Sequence, residues 1–158
     1  DHPALSIAID ASFVLEGPKG RRTVAADGFF LGTYMTLLEE NEVMCEIHAP
    51  AFAQGTGHAY EKLKRKTGDW ATAGCAVVMR KSGNTVSHVR IALTNVAPTA
   101  LRAEAAEAAL LNQPFNADTV KAAAAAAIAD AVDPGTGSAG ARALIAASAV
   151  SSPARKAA

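Results

Sequence analysis

Four cations within five positions, Lys62, Lys64, Arg65 and Lys66, run directly into Gly68-Asp69-Trp70, and no other stretch of the chain is as well equipped for chemistry. Such cations suit an anionic group, a diphosphate for example, through charge-assisted hydrogen bonds. The competing reading is a solvated face, because charged side chains protect an edge strand from pairing with another chain. Trp70, the single tryptophan, also has two readings. It fills a core, or, set in a turn between Asp69 and a small residue, it lays an indole against a flat ring.

Other chemistry is poorly represented. His2, His48, His58 and His88 share no i,i+4 spacing, so no metal site is expected. No nucleophile–base arrangement, paired carboxylates or Gly-x-Gly phosphate loop stands out, and no catalytic residue is assigned. Cys45 and Cys75 lie thirty positions apart with no C-x-x-C pair. Two buried neutral thiols in a reducing compartment are expected, rather than a disulfide. Fifteen basic and fifteen acidic residues cancel, which leaves no electrostatic footprint for nucleic acid. No apolar run reaches the roughly 20 residues of a bilayer span. Asp1-His2-Pro3 lacks the basic and apolar regions of a signal peptide, and the start without Met leads us to expect an upstream segment.

The elements that must position these residues read as α+β. Residues 5–15 are ambiguous: Ile7, Ile9, Ala11, Phe13 and Leu15 alternate like a strand, while Asp1 ahead of Pro3 signals a capped helix start. Gly17-Pro18-Lys19-Gly20 is a turn, with Arg21–Ala25 returning as a hairpin arm. Asp27–Gly32 reads as a capped helical turn burying two aromatics, and Glu39–Glu42 as a solvated acidic turn. In 43–49, Val43, Cys45, Ile47 and Ala49 share one face, opposite Met44, Glu46 and His48. Pro50 ends that strand, and 51–57 reads as a linker. Strands are expected at 58–65, 72–81 and 85–94, with Lys81–Asn84 as a hairpin turn, an apolar central strand, and Val89, Ile91 and Leu93 facing inward. Helices follow at 99–111 and 117–132, the second capped by Asn116. Asp133–Gly137 breaks the chain before a last helix over 139–150 and a frayed tail at 151–158.

Several words occur in one order: Asp1-x-Pro-Ala-Leu5, Gly32-x-Tyr34-x-Thr36, Ile47-x-x-Pro50, Tyr60-Glu-Lys-Leu-Lys-Arg-Lys66, Gly68-Asp-x-Ala-Thr72 and Leu93-Thr-Asn-Val-Ala97. Together they resemble the medium, FAD-binding subunits of the molybdenum hydroxylases, especially those of aerobic carbon monoxide dehydrogenases, from Asp1 to about Pro114. The resemblance implies a helix over 2–10 and a strand near 12–16. It makes residues 1–50 the end of a two-part FAD-binding domain, and 58–150 a C-terminal domain with a three-stranded antiparallel sheet on a helical bundle. It also implies that the family's two glycine-rich loops for the FAD diphosphate precede residue 1. The sequence departs from the family pattern after Val132.

Residue by residue, the resemblance implies cofactor contacts at Asp1, past the second glycine loop, and at Met44, on a strand against the flavin. Lys62 falls near the cofactor's polar end, and Asp69 and Trp70 in a loop beside the isoalloxazine. Close relatives carry Tyr where Trp70 stands. The implied activity is an oxidoreductase complex in which electrons from 2Fe-2S clusters reach FAD here and pass to a quinone or other acceptor. Implied partners are an iron–sulfur small subunit and a large subunit with the molybdenum cofactor, as a dimer of heterotrimers. The implied location is cytoplasmic, and a peripheral contact with the inner face of the membrane stays open. Two alternatives are the medium subunit of a heteroaromatic or aldehyde hydroxylase, and a cofactor-free assembly fragment.

Overall fold

The structure, a computed structural model, describes residues 1–131. In chain order these form α1 (His2–Ala8), β1 (Ser12–Gly17), β2 (Gly20–Ala25), β3 (Phe30–Gly32), β4 (Met35–Thr36), β5 (Val43–His48), β6 (Thr56–Leu63), β7 (Ala73–Ser82), β8 (Thr85–Thr94), β9 (Leu101–Arg102), α2 (Glu104–Leu110) and α3 (Ala117–Ala131). The expected break at Asp133–Gly137, last helix and tail lie outside the described residues.

The apolar run of β7 settles the architecture. A strand without polar alternation is stable only with both faces covered, and here both are. An antiparallel sheet in the order β6-β7-β8-β9 places β7 inside. Cys75, Val77 and Met79 point to one face, where Ile91 and Leu93 of β8 meet Ala106 and Leu110 of α2 and Val120, Ala123 and Ala127 of α3. Ala76 and Val78 point to the other, where Ala4, Ile7 and Ala8 of α1 join Phe13, Leu15 and Phe29. Residues 1–48 therefore share a core with the back of this sheet. In front of that core, β1 pairs with β2 and β5 in a second antiparallel sheet. The α+β class, the three long strands and the helix pair agree with expectation, and Asn116 caps α3 by accepting from the Asp118 and Thr119 amides at 3.0 Å each.

Several local expectations are corrected. The sheet has a fourth, two-residue strand, β9, so the helix expected from residue 99 starts at Glu104. Where β9 ends, the buried carboxylate of Glu107 replaces a strand partner: its Oε1 accepts from the Ile91 amide at 2.9 Å, and Arg102 holds it through Nη2 at 2.5 Å. Thr56 and Gly57, expected in the linker, belong to β6 because Thr56 pairs with Arg80. Asp27–Gly32 is not a helical turn. It turns at 27–29 and enters β3, because Phe29 is drawn into edge-to-face contact with Phe13 at 4.7 Å and with Phe30 at 5.3 Å. Phe29 is buried, Phe30 only half so.

The two faces of β5 are as grouped, and the Met44 face is the inner one. Val43 and Ile47 are 65% and 58% exposed, while Met44 turns inward against the second core. β5 is an edge strand, and it bulges at Cys45: consecutive Val14 and Leu15 of β1 pair with Glu46 and Met44, which sets Met44 beside Leu15. Cys45 is consequently exposed, not buried, whereas Cys75 is buried. The acidic turn is only partly solvated: Glu42 receives Arg22 through two bonds of 2.7 Å and also the Glu39 amide. Those contacts, the Arg22 bonds first, hold the Glu42 carboxyl down at about 2.

Candidate functional site

The strand register of β6 aims alternate side chains at α1. Tyr60 pairs with Ala76 and Lys62 with Gly74, so both side chains leave the sheet on the face that α1 covers. Asp1 stands at the start of α1, yet its side chain makes no cap bond, against expectation. The carboxylate meets Lys62 instead: Nζ lies 2.9 Å from Oδ2. The Tyr60 hydroxyl donates weakly to the same oxygen and to the Asp1 carbonyl, both at 3.4 Å. A half-buried ion pair of this kind outcompetes a single capping bond, since both partners are charged. Burial first, and Cys75 second, raise the Tyr60 phenol above its usual range.

Gly74 makes this geometry available. A Cβ on it would lie 2.8 Å from the Tyr60 oxygen and 2.9 Å from Cγ2 of Thr94. Neither Tyr60 nor Gly74 was assigned a role from sequence. A lone glycine inside an apolar strand was the available signal, because such a glycine marks a close approach.

Past Lys62 the chain forms a loop closed by the Thr72 amide on the Leu63 carbonyl at 2.8 Å. Its tip turns at Gly68, whose φ of 82° suits glycine, with the Asp69 amide bonded to the Lys66 carbonyl. Asp69 accepts from the Trp70 amide at 3.1 Å and approaches Arg65 at 3.8 Å. The Asn95 side chain, from the turn after β8, donates to the Ala71 carbonyl and ties down the loop's far end. The backbone is thus anchored while the Trp70 side chain is 78% exposed. That excludes the core reading of Trp70.

The structure therefore joins Asp1 to Lys62 and sets Asp69 beside Trp70. Met44 belongs to neither pair and packs, half-buried, against the second core. Lys62 is not a free cation; among the described residues, Lys64 and Lys66 are the members of the run without a carboxylate partner. No group of histidine, cysteine and acidic side chains there is arranged to hold a metal, and no helix is long and apolar enough to cross a membrane. What the site offers is a carboxylate fixed by a lysine, two unpaired lysines and an exposed indole. Such a donor set fits a ligand with hydroxyls, an anionic part and a flat ring, and FAD has all three.

The described residues thus form an antiparallel sheet covered on both faces, with the Asp1–Lys62 pair and the Trp70 loop at one edge. Residues 58–155 match the family described as CO dehydrogenase flavoprotein C-terminal domain. The chain belongs to that family. It is 81% identical over 129 residues to the carbon monoxide dehydrogenase medium chain of Hydrogenophaga pseudoflava, covering 82% of this chain and 45% of that one. It is 48% identical over 106 residues to the medium chain from Afipia carboxidovorans, covering 67% and 37%. The solved carbon monoxide dehydrogenase from Hydrogenophaga pseudoflava lacking the Mo-pyranopterin moiety of its cofactor superposes with a TM-score of 0.92 at 71% identity, over 99% of this chain and 55% of that one. The chain thus spans about half the length, or less, of the relatives it matches.

Proposed function

We propose that this chain is part of the flavoprotein medium subunit of an aerobic carbon monoxide dehydrogenase. Residues 1–50 end its FAD-binding region and 58–150 form its C-terminal domain. The similarity to the Hydrogenophaga pseudoflava medium chain carries the choice of carbon monoxide over a heteroaromatic or aldehyde substrate. The carboxylate–lysine pair and exposed indole favour a flavin role over a cofactor-free assembly fragment.

When bound, FAD supplies a ring that takes up an electron pair and passes it on. The residues of this chain bind and orient it. Asp1, fixed by Lys62, keeps Oδ1 free to accept from cofactor hydroxyls. Lys64 and Lys66 offer charge to an anionic group, and Met44 belongs to the strand set against the flavin, its side chain packed on the second core. The Trp70 indole covers one ring face and limits approach from that side, while the Asp69 carboxylate disfavours further negative charge on the ring. Electrons arrive from 2Fe-2S clusters in a small subunit, after oxidation at a large subunit's molybdenum cofactor. A quinone or similar acceptor takes them, in a dimer of heterotrimers in the cytoplasm or against the inner membrane face.

Stopped-flow absorbance of the assembled enzyme with Trp70→Ala tests this reading. Flavin reoxidation should change while reduction of the molybdenum centre by substrate stays near normal. Slowed metal reduction with unaltered flavin reoxidation would overturn it.

A further inference from the structure

At the opposite end of α1 from Asp1, two adjoining clefts share Ala8, Ile9, Pro50, Phe52 and Val78 as walls. One, of about 350 Å³, extends towards His58 and Tyr60. The other, of about 250 Å³, extends towards Arg80, His88 and Asp10. Of the side chains assigned to the flavin site, only Tyr60 borders this groove.

Its two ends differ in chemistry. The first is apolar and carries a ring platform: Phe52, 46% exposed, lies 5.6 Å from the His58 ring at an interplanar angle of 32°. A flat ligand ring stacks favourably on such an arrangement. The second end is cationic. Arg80 and His88 are register partners on the same sheet face, and both are half-buried. Asp10, the carboxylate bordering this cleft, is already taken by Arg90 through Nε at 3.1 Å and through Nη2. Among the described residues the Arg80 guanidinium therefore has no carboxylate partner, although it is partly withdrawn from water. A half-buried guanidinium next to an apolar trough is complementary to an anion on a ring, since it presents paired N–H donors to a planar carboxylate. The trough's dimensions are those of a small-molecule cleft.

We propose that this groove binds a small fused-ring aromatic carboxylate, with the ring on Ile9, Phe52 and Val78 and the carboxylate on Arg80. The site is independent of the flavin reading, because it uses neither Asp1, Lys62 nor Trp70.

The test is calorimetric titration of the chain with 2-naphthoate and, as a neutral isostere, 2-naphthol. Naphthoate should bind about tenfold or more tighter, the gain expected of one charge-assisted bidentate contact. Arg80→Met should bring naphthoate down to the naphthol level and leave naphthol unchanged, and Arg80→Lys should keep part of the preference. Phe52→Ala should weaken both ligands, with circular dichroism confirming that each variant stays folded. Equal affinity for the two ligands, no binding of either at millimolar concentration, or a naphthoate preference that survives Arg80→Met would overturn the proposal.

Discussion

Gly74→Ala is the smallest change that disturbs the Asp1 end of the fold. The added Cβ would lie 2.8 Å from the Tyr60 oxygen and 2.9 Å from Cγ2 of Thr94. Thr94 is 7% exposed and has no room to retreat, so the Tyr60 ring must swing instead. Swinging breaks its bonds to Asp1 and loosens its packing on the second core. Overpacking of this kind costs about 1–3 kcal/mol. Losing a long hydrogen bond adds roughly 0.5 kcal/mol, and replacing glycine within a strand returns about 0.5–1 kcal/mol. The net loss should be about 0.5–3 kcal/mol, or roughly 1–12 °C in Tm for a chain of this size. The assay is urea unfolding followed by circular dichroism, on Gly74→Ala, Tyr60→Phe and the double variant. Because Tyr60→Phe removes the nearest clashing atom, Gly74→Ala should cost at least about 0.5 kcal/mol less in that background. Unchanged or increased stability of Gly74→Ala, or strict additivity in the double variant, would refute the reasoning.

Glu107→Ala should destabilise by about 2–4 kcal/mol in the same assay, because it strands the Ile91 amide and leaves the Arg102 guanidinium only its long contacts to Asp27 at 3.9 Å and Glu104 at 3.6 Å; a loss below about 1 kcal/mol would contradict the strut role. Glu42 has its carboxyl lowered from 4.5 to about 2, so its stabilisation is complete above pH 4.5 and disappears as pH falls through about 2. Glu42→Gln should therefore lower Tm near neutrality and flatten its decline between those pH values; parallel Tm–pH curves for the two proteins would count against the Arg22 pair. Burial, then Glu61, pushes the Cys75 thiol up to about 12, whereas Cys45 is exposed. An aromatic disulfide reagent at pH 8 should titrate one thiol in the folded chain and two after denaturation; two fast thiols in the folded state would show Cys75 to be open.

Local chemistry made much of the fold legible. The Gly17–Gly20 and Lys81–Asn84 turns, the unbroken apolar run of β7 and the Asn116 cap each state their structure in neighbouring residues. What escaped depends on partners distant in sequence. The Asp1 side chain leaves its helix for Lys62, sixty-one positions away. β9 and the late start of α2 follow from Glu107 occupying the edge of β8. The bulge of β5 at Cys45, and which of its faces turns inward, depend on its pairing with β1, which the sequence of β5 alone does not reveal. At the site, the loop residues Asp69 and Trp70 and the cationic run were readable as types in a spacing. Which lysine was already paired, and which glycine made room for Tyr60, required the antiparallel register.

We propose that the Asp1–Lys62 pair holds FAD. The most direct test is the FAD dissociation constant of the full-length subunit with Asp1→Asn, measured by flavin fluorescence against the unaltered protein. Asparagine keeps the shape but removes both the charge that fixes Lys62 and the stronger acceptor. Affinity should fall by about tenfold to a hundredfold, the worth of one hydrogen bond to a charged group. An unchanged dissociation constant, with Lys62→Met equally without effect, would contradict the account.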